Sequence, residues 1–314
     1  MDRNQIIGWI LIVGIVIGFF TFNSSQEPET VEITQKNSQV QANTPVEEKS
    51  NEKPENTTIL SQSATVIGED SAVIKYKQEQ LRTKYGVFAG SAEKNEEEVI
   101  IENNKMRLFI NTNGAYVSKA VLKEYRSYND YSADKENELI LFEGEGNHQI
   151  IKFNHSNQQQ STNDFRFTPS SKDLVVKEGS NSITFSLNTD NGSGRIDYVY
   201  TLNADDYLVG FDINMVGLSK TIEGDNNSNL TLEWKQKPVS IEKSLYIERQ
   251  SASVFWHSQQ DGYDWLSETG DDGESAEFAT DWISFKQQFF SNILIADKNN
   301  LDKPSMEIKY VDED

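Results

Sequence analysis

Cysteine is absent from all 314 residues, so the chain has no disulfide, no thiolate metal ligand, no thiol nucleophile and no lipidated-cysteine anchor. Histidine is nearly as scarce, with only His148, His155 and His257. None belongs to an H-E-x-x-H or similar pair, and zinc wants three or four convergent ligands, so no metal is expected. Positive charge is short as well. Against 50 Asp and Glu stand 29 Lys and Arg, for a formal net charge of −21 and a pI near 4.6. Phosphates and anionic headgroups repel such a surface, which excludes nucleic acid as a partner and argues against a lipid-hugging domain. Also missing are a phosphate loop, G-x-G-x-x-G and the G-x-S-x-G elbow. The sequence therefore predicts no cofactor and no enzyme.

Long apolar runs are missing too, with one exception at residues 6–22. Ile6, Trp9, Leu11, Ile15, Phe19 and Phe22 mark a stretch without charge in which only Thr21 is polar. As a helix it would span about 26 Å, the short end of what crosses a bilayer. Arg3 precedes it and Glu27, Glu29 and Glu32 follow, so the positive-inside rule puts residues 1–5 in the cytoplasm and exports the rest. The competing reading is a cleaved signal, which normally ends in small residues after a shorter apolar region. Residues 21–26 lack that pattern. An uncleaved anchor is the expectation.

Residues 23–62 are predicted to be a disordered tether, because Glu, Asn, Gln and Thr dominate and too little apolar surface is present to offset ordering entropy. Over residues 23–58 a flexible chain of that kind reaches roughly 33 Å. Residues 63–97 are ambiguous: Val73, Tyr76, Leu81 and Tyr85 permit a helix interrupted at Gly86, packing on the domain that follows.

From residue 98 the pattern changes to period two. Met106, Leu108 and Ile110 alternate with polar or outward positions, and Asn113-Gly114 supplies a turn. Short strands are predicted at 139–142, 150–153, 165–168 and 174–176. A hairpin follows, with Ile183, Phe185 and Leu187 running into Asp190-Asn191-Gly192 and Ile196, Tyr198, Tyr200 and Leu202 running back. Val209 to Met215 and Leu230 to Trp234 continue the alternation. So many short strands with hardly a helix predict a mainly β chain, with residues 98–314 forming one large antiparallel β-sandwich.

Acidic clusters at Asp205-Asp206, Asp225-Asn226-Asn227 and Asp271-Asp272-Gly273-Glu274 match no calcium-loop spacing and read as turns. Four of the five tryptophans fall in the second half. Trp234, Trp256 and Trp265 are candidate groove aromatics for sugar rings or apolar peptide segments, with core packing as the plainer reading of each.

The most distinctive segment is 281–299. Ile283, Phe285, Phe289, Ile293 and Ile295 share one parity, with Trp282, Phe290, Leu294 and Ala296 on the other. Burial on both faces would make it a central strand pair of the sandwich. Trp282, Lys286, Gln287, Phe289 and Phe290 form a W-x-x-x-K-Q-x-F-F pattern that resembles the first periplasmic domain of YidC-type membrane protein insertases. The opening residues 1–4, Tyr198 to Leu202, Asp206-Tyr207 and Phe211 to Met215 are similar to the Bacteroidetes-like branch of that family, so the resemblance covers nearly the whole chain.

The resemblance implies a β-supersandwich of the galactose-mutarotase-like kind. It also implies a role in placing hydrophobic segments of inner-membrane proteins into lipid, alone or with the Sec translocon and its accessory complex. Nascent membrane proteins would be received by five further helices, which these residues do not include. The expected contribution of this stretch is a single-pass anchor in the inner membrane and a periplasmic partner-contact domain, the signature residues being structural. Two other readings are a membrane-tethered carbohydrate-binding module with an aromatic groove and a mutarotase-like enzyme, which needs a histidine and a carboxylate meeting in a groove.

Overall fold

A computed structural model describes residues 63–92, 95–155, 158–218, 222 and 230–310. The candidate anchor and the tether over 23–62 lie outside these residues. Among the described residues no helix is long and apolar enough to cross a membrane.

Period-two sequence becomes period-two burial. In β1 (Glu98–Glu102) and β2 (Met106–Asn111), Val99, Ile101, Met106, Leu108 and Ile110 turn inward while their neighbours stay at the surface. β3 (Tyr116–Leu122) and β4 (Leu139–Phe142) add antiparallel strands, and β8 (Leu174–Val175) pairs parallel to β1, giving a sheet in the order β4-β3-β2-β1-β8. The turn between β2 and β3 uses Gly114 at φ 91° and holds Ala115 at φ 50°. The buried Tyr200 hydroxyl donates to the Ala115 carbonyl at 2.6 Å, which fixes that strained turn on the core.

A second sheet runs β11-β10-β9-β7, from β7 (Thr168–Pro169), β9 (Ser180–Asn188), β10 (Arg195–Asn203) and β11 (Val209–Val216). β5 (His148–His155), β6 (Gln158–Ser161) and β12 (Thr231–Lys235) make a third, ordered β12-β5-β6. Their inner faces meet in one large core, in which Phe185 and Tyr200 cross edge to face and Phe167 lies 4.9 Å from Tyr198. Of the strand expected over 165–168 only Thr168 belongs to one, the two-residue β7. A 3₁₀ turn ends at Asp164, and Pro169 has no N–H to extend the ladder. Phe165 and Phe167 are fully buried regardless, their N–H groups bonded to Thr162 and Thr112.

The ambiguous amino-terminal segment is α1 (Ser63–Tyr85) followed by a 3₁₀ turn, Gly86–Ser91. Gly86 sits at φ 56°, and a Cβ there would collide with the His155 ring. Toward its end Tyr85, Phe88 and Ala89 enter the large core and Leu81 packs against it, whereas Val73, Ile74 and Tyr76 are exposed.

Two short helices interrupt the strands, α2 (Tyr128–Ser132), capped by Ser127, and α3 (Leu245–Ser251), capped by Ser244. After α3 the chain builds a small lobe. β13 (Ser253–Ser258), β14 (Gly262–Trp265), β16 (Trp282–Lys286) and β17 (Ser291–Ile295) form a sheet ordered β14-β13-β16-β17, beside a ribbon of β15 (Asp272–Ser275) and β18 (Ser305–Ile308). Val254, Trp256, Leu266, Ala276, Ile283 and Met306 give this lobe its own core. It touches the sandwich through Trp234 on Phe285, 4.2 Å between centroids, and Phe290 on Tyr125 at 5.3 Å.

Candidate contact surface on the small lobe

The segment 281–299 does not occupy the centre of the sandwich. It supplies β16 and the edge strand β17 of the small lobe, and one face of their sheet is open. The reason lies in the hairpin. β16 and β17 pair Trp282 with Ile295, Ile283 with Leu294 and Ser284 with Ile293, so odd residues on one strand share a face with even residues on the other. Ile283, Phe285 and Leu294 therefore point to the lobe core, and Ile293 and Ile295 join Trp282 on the opposite side.

On that open face the register aligns Tyr263 and Trp265 of β14, Phe255 and His257 of β13, Trp282, Ser284 and Lys286 of β16, and Ile293 and Ile295 of β17. Aromatic pairs stack across the strands: Phe255 on Trp265 at 5.8 Å and 18°, Tyr263 on Trp265 at 6.2 Å and 27°, and His257 on Trp282 at 5.8 Å and 7°. An open groove of about 360 Å³ runs between Phe255, Trp282, Ile293 and Ile295. Exposure is high for large apolar groups, 68% at Tyr263, 48% at Trp265, 53% at Ile293 and 56% at Ile295.

The signature residues divide between this face and the junction with the sandwich. Trp282 stands on the open face. The Lys286 ammonium donates to the Ser251 carbonyl at 2.8 Å and pairs with Glu268 at 3.1 Å, closing the end of β16 onto α3. Gln287 is buried, and its side-chain amide has no partner among the described residues. Its N–H donates to the Phe290 carbonyl to close the hairpin, leaving Phe289 exposed at the tip while Phe290 packs against the sandwich core.

Backbone polarity completes the surface. Gln287 N–H to Phe290 and Ala296 N–H to Asp281 fix the phase of the ladder: even residues of β17 bond to β16, and odd ones turn outward. The N–H and C=O groups of Ile293 and Ile295 thus face away from the sheet at an edge to which no described strand pairs. The edge at β14 differs, because the Asp264 carboxylate accepts the Trp265 N–H at 2.8 Å. The edge at β4 is bridged by Pro238. β11 carries Asp212, and β12 carries Glu233 and Lys235. β17 has no charge and no proline.

Trp234, Trp256 and Trp265 are not brought together. Trp256 is in the lobe core, Trp234 packs on Phe285 at the junction, and Trp265 alone is on the open face. The groove is lined by Phe255 and Trp282, whose common face becomes visible only once the register is known. His257 Nδ1 meets Asp281 Oδ1 at 2.8 Å at one end of the open face, a histidine–carboxylate pair that sequence spacing does not announce. Neither residue lines the groove, and no residue lining it carries a carboxylate. His148 pairs with Glu233, and among the described residues no cluster of His, Asp and Glu is arranged to hold a metal. Asp206 accepts the Leu208 N–H in its turn, but the cluster expected as a turn at 271–274 is instead the start of strand β15, where Asp271 accepts the Tyr310 N–H and Asp272 those of Ser267 and Gly273; the 225–227 cluster lies outside the described residues.

At the end of the lobe Tyr310 donates to the carbonyls of Arg249 and Glu268. Burial, with the Glu268 charge, pushes its phenol above the ordinary range and keeps it a donor.

Residues 98–311 match the family model described as the YidC periplasmic domain. The membrane protein insertase YidC of Parabacteroides distasonis is 30% identical over 298 residues, covering 94% of this chain and 44% of the relative. Those of Phocaeicola vulgatus and Cytophaga hutchinsonii are each 28% identical, covering 98% and 93% of this chain. The chain spans less than half the length of these curated relatives. With the family model matching most of its length, the chain belongs to the YidC membrane protein insertase family and carries that family's periplasmic domain.

Proposed function

We propose that this stretch provides the membrane attachment and periplasmic contact domain of an insertase that assists insertion and folding of inner-membrane proteins, alone or beside the Sec translocon. Residues 6–22 would hold it in the inner membrane with residues 1–5 cytoplasmic and the β domain periplasmic. The large sandwich serves as a scaffold, and the open face of the small lobe is the contact surface. The observation that carries this reading is the coincidence of the family match over 98–311 with an uncovered apolar sheet face formed partly by the signature segment. The relatives are named as insertases, not for a chemical reaction.

The carbohydrate-binding alternative has weaker support. The aromatic rings are stacked on one another, which covers the faces a sugar would use.

Photocrosslinking in cells tests the proposal. A benzophenone side chain at Phe255 or Trp265 should capture nascent membrane proteins or Sec components, and one at the exposed Tyr131 of α2 should not. Equal yields from the two regions would reject the open face as the contact surface.

A further inference from the structure

We infer that the free edge of β17 accepts an extended apolar segment of another polypeptide as a fifth strand, and that the segment is one bordered by lysine or arginine. This deepens the contact-surface reading above and rests on it.

Three observations converge. Ile293 and Ile295 direct backbone donors and acceptors outward at an edge that lacks the guards found elsewhere in the fold: Asp264 at β14, Pro238 at β4, and charged side chains at β11 and β12. An incoming strand satisfies these groups, as any added strand does at an open sheet edge.

The side chains of the same two residues stand on the open face next to Trp282 and Phe255. Alternate residues of the added strand would continue that face, and burial there favours apolar side chains.

Charge selects the flanks. Residues 253–310 hold eleven Asp and Glu against four Lys and no Arg, and the one ammonium on the face is already held by Glu268. A second copy of this chain would bring a net charge of −21 to the same edge, and an anionic lipid surface is repelled likewise. An apolar strand with basic ends fits both the edge and the field.

The test uses the full chain in neutral detergent and a fluorescent peptide with an apolar β-prone core of about six residues, matched to a typical strand, flanked by lysine pairs. Saturable binding is expected. Glutamate in place of the flanking lysines, and N-methylation of alternate backbone nitrogens, should each weaken it at least about tenfold. Ile293→Lys should do the same without lowering the melting temperature, because the residue is exposed.

No saturable binding of the lysine-flanked peptide, or equal binding of the N-methylated one, would overturn the inference. So would a concentration-dependent doubling of mass abolished by Ile293→Lys, which would give the edge to a second copy. Failure of photocrosslinking in cells alongside specific peptide binding would fault the proposed role and leave the strand site standing.

Discussion

The sandwich and the small lobe are built on the same principle but to different depths. Among the described residues, thirty buried hydrophobic residues form the sandwich core and six form that of the lobe. In the sandwich, sheets cover one another, and large rings such as Phe165, Phe185 and Tyr198 are fully enclosed. In the lobe a single sheet covers the core on one side and leaves Trp265, Trp282 and Ile293 on the other. A deep core commits both faces of a domain to stability. The shallow one leaves a face uncovered and, with fewer buried residues, is expected to open first.

Truncating a core ring in each region sharpens this contrast. Phe165→Ala removes a ring that touches Tyr85, Phe88 and Phe153 and should cost about 3–5 kcal/mol, lowering the main urea transition of the whole domain. Trp256→Ala should cost about 3 kcal/mol, expressed as an earlier transition confined to the lobe. Fluorescence of Trp265 and Trp282, in a background with Trp9 and Trp234 replaced by phenylalanine, reads the lobe, and far-ultraviolet circular dichroism reads the sandwich. A single coincident transition in both variants would mean that the two cores are one cooperative unit.

Acid should act on the sandwich through Glu102. Burial disfavours its charge, but hydrogen bonds from Lys123 at 2.8 Å and Arg107 at 2.9 Å outweigh that and hold the carboxyl below the usual range. A depressed carboxylate contributes stability above its unfolded pKa and loses it as pH falls through the folded value. Glu102→Gln should therefore lower the urea midpoint at pH 7 and have a smaller effect near pH 3, with the lobe transition unmoved. An equal effect at both pH values would separate Glu102 from the acid response.

Much of the sandwich was legible because alternation at Met106, Leu108 and Ile110, or Ile196 to Leu202, encodes both strand and face. The limits of that reading are instructive. Parity is a property of one strand, and it reverses across the two-residue turn at Gln288-Phe289. Ile283 and Ile293 look like partners in sequence yet face opposite sides of the sheet. Trp234, Trp256 and Trp265 likewise share only sequence proximity, since which face a tryptophan takes depends on its strand pairing, with Gln149 for Trp234, Ile283 for Trp256 and Phe255 for Trp265. The signature segment stood out from sequence, whereas its open face and free edge are properties of the register.

Residue-resolved hydrogen exchange on β17 decides whether its outer edge is free. Slow exchange is expected at Asn292 and Leu294, bonded to β16, and fast exchange at Ile293 and Ile295, with protection of the latter two appearing only when a lysine-flanked apolar peptide is added. Protection of Ile293 and Ile295 in the free chain, or none on adding the peptide, would contradict it.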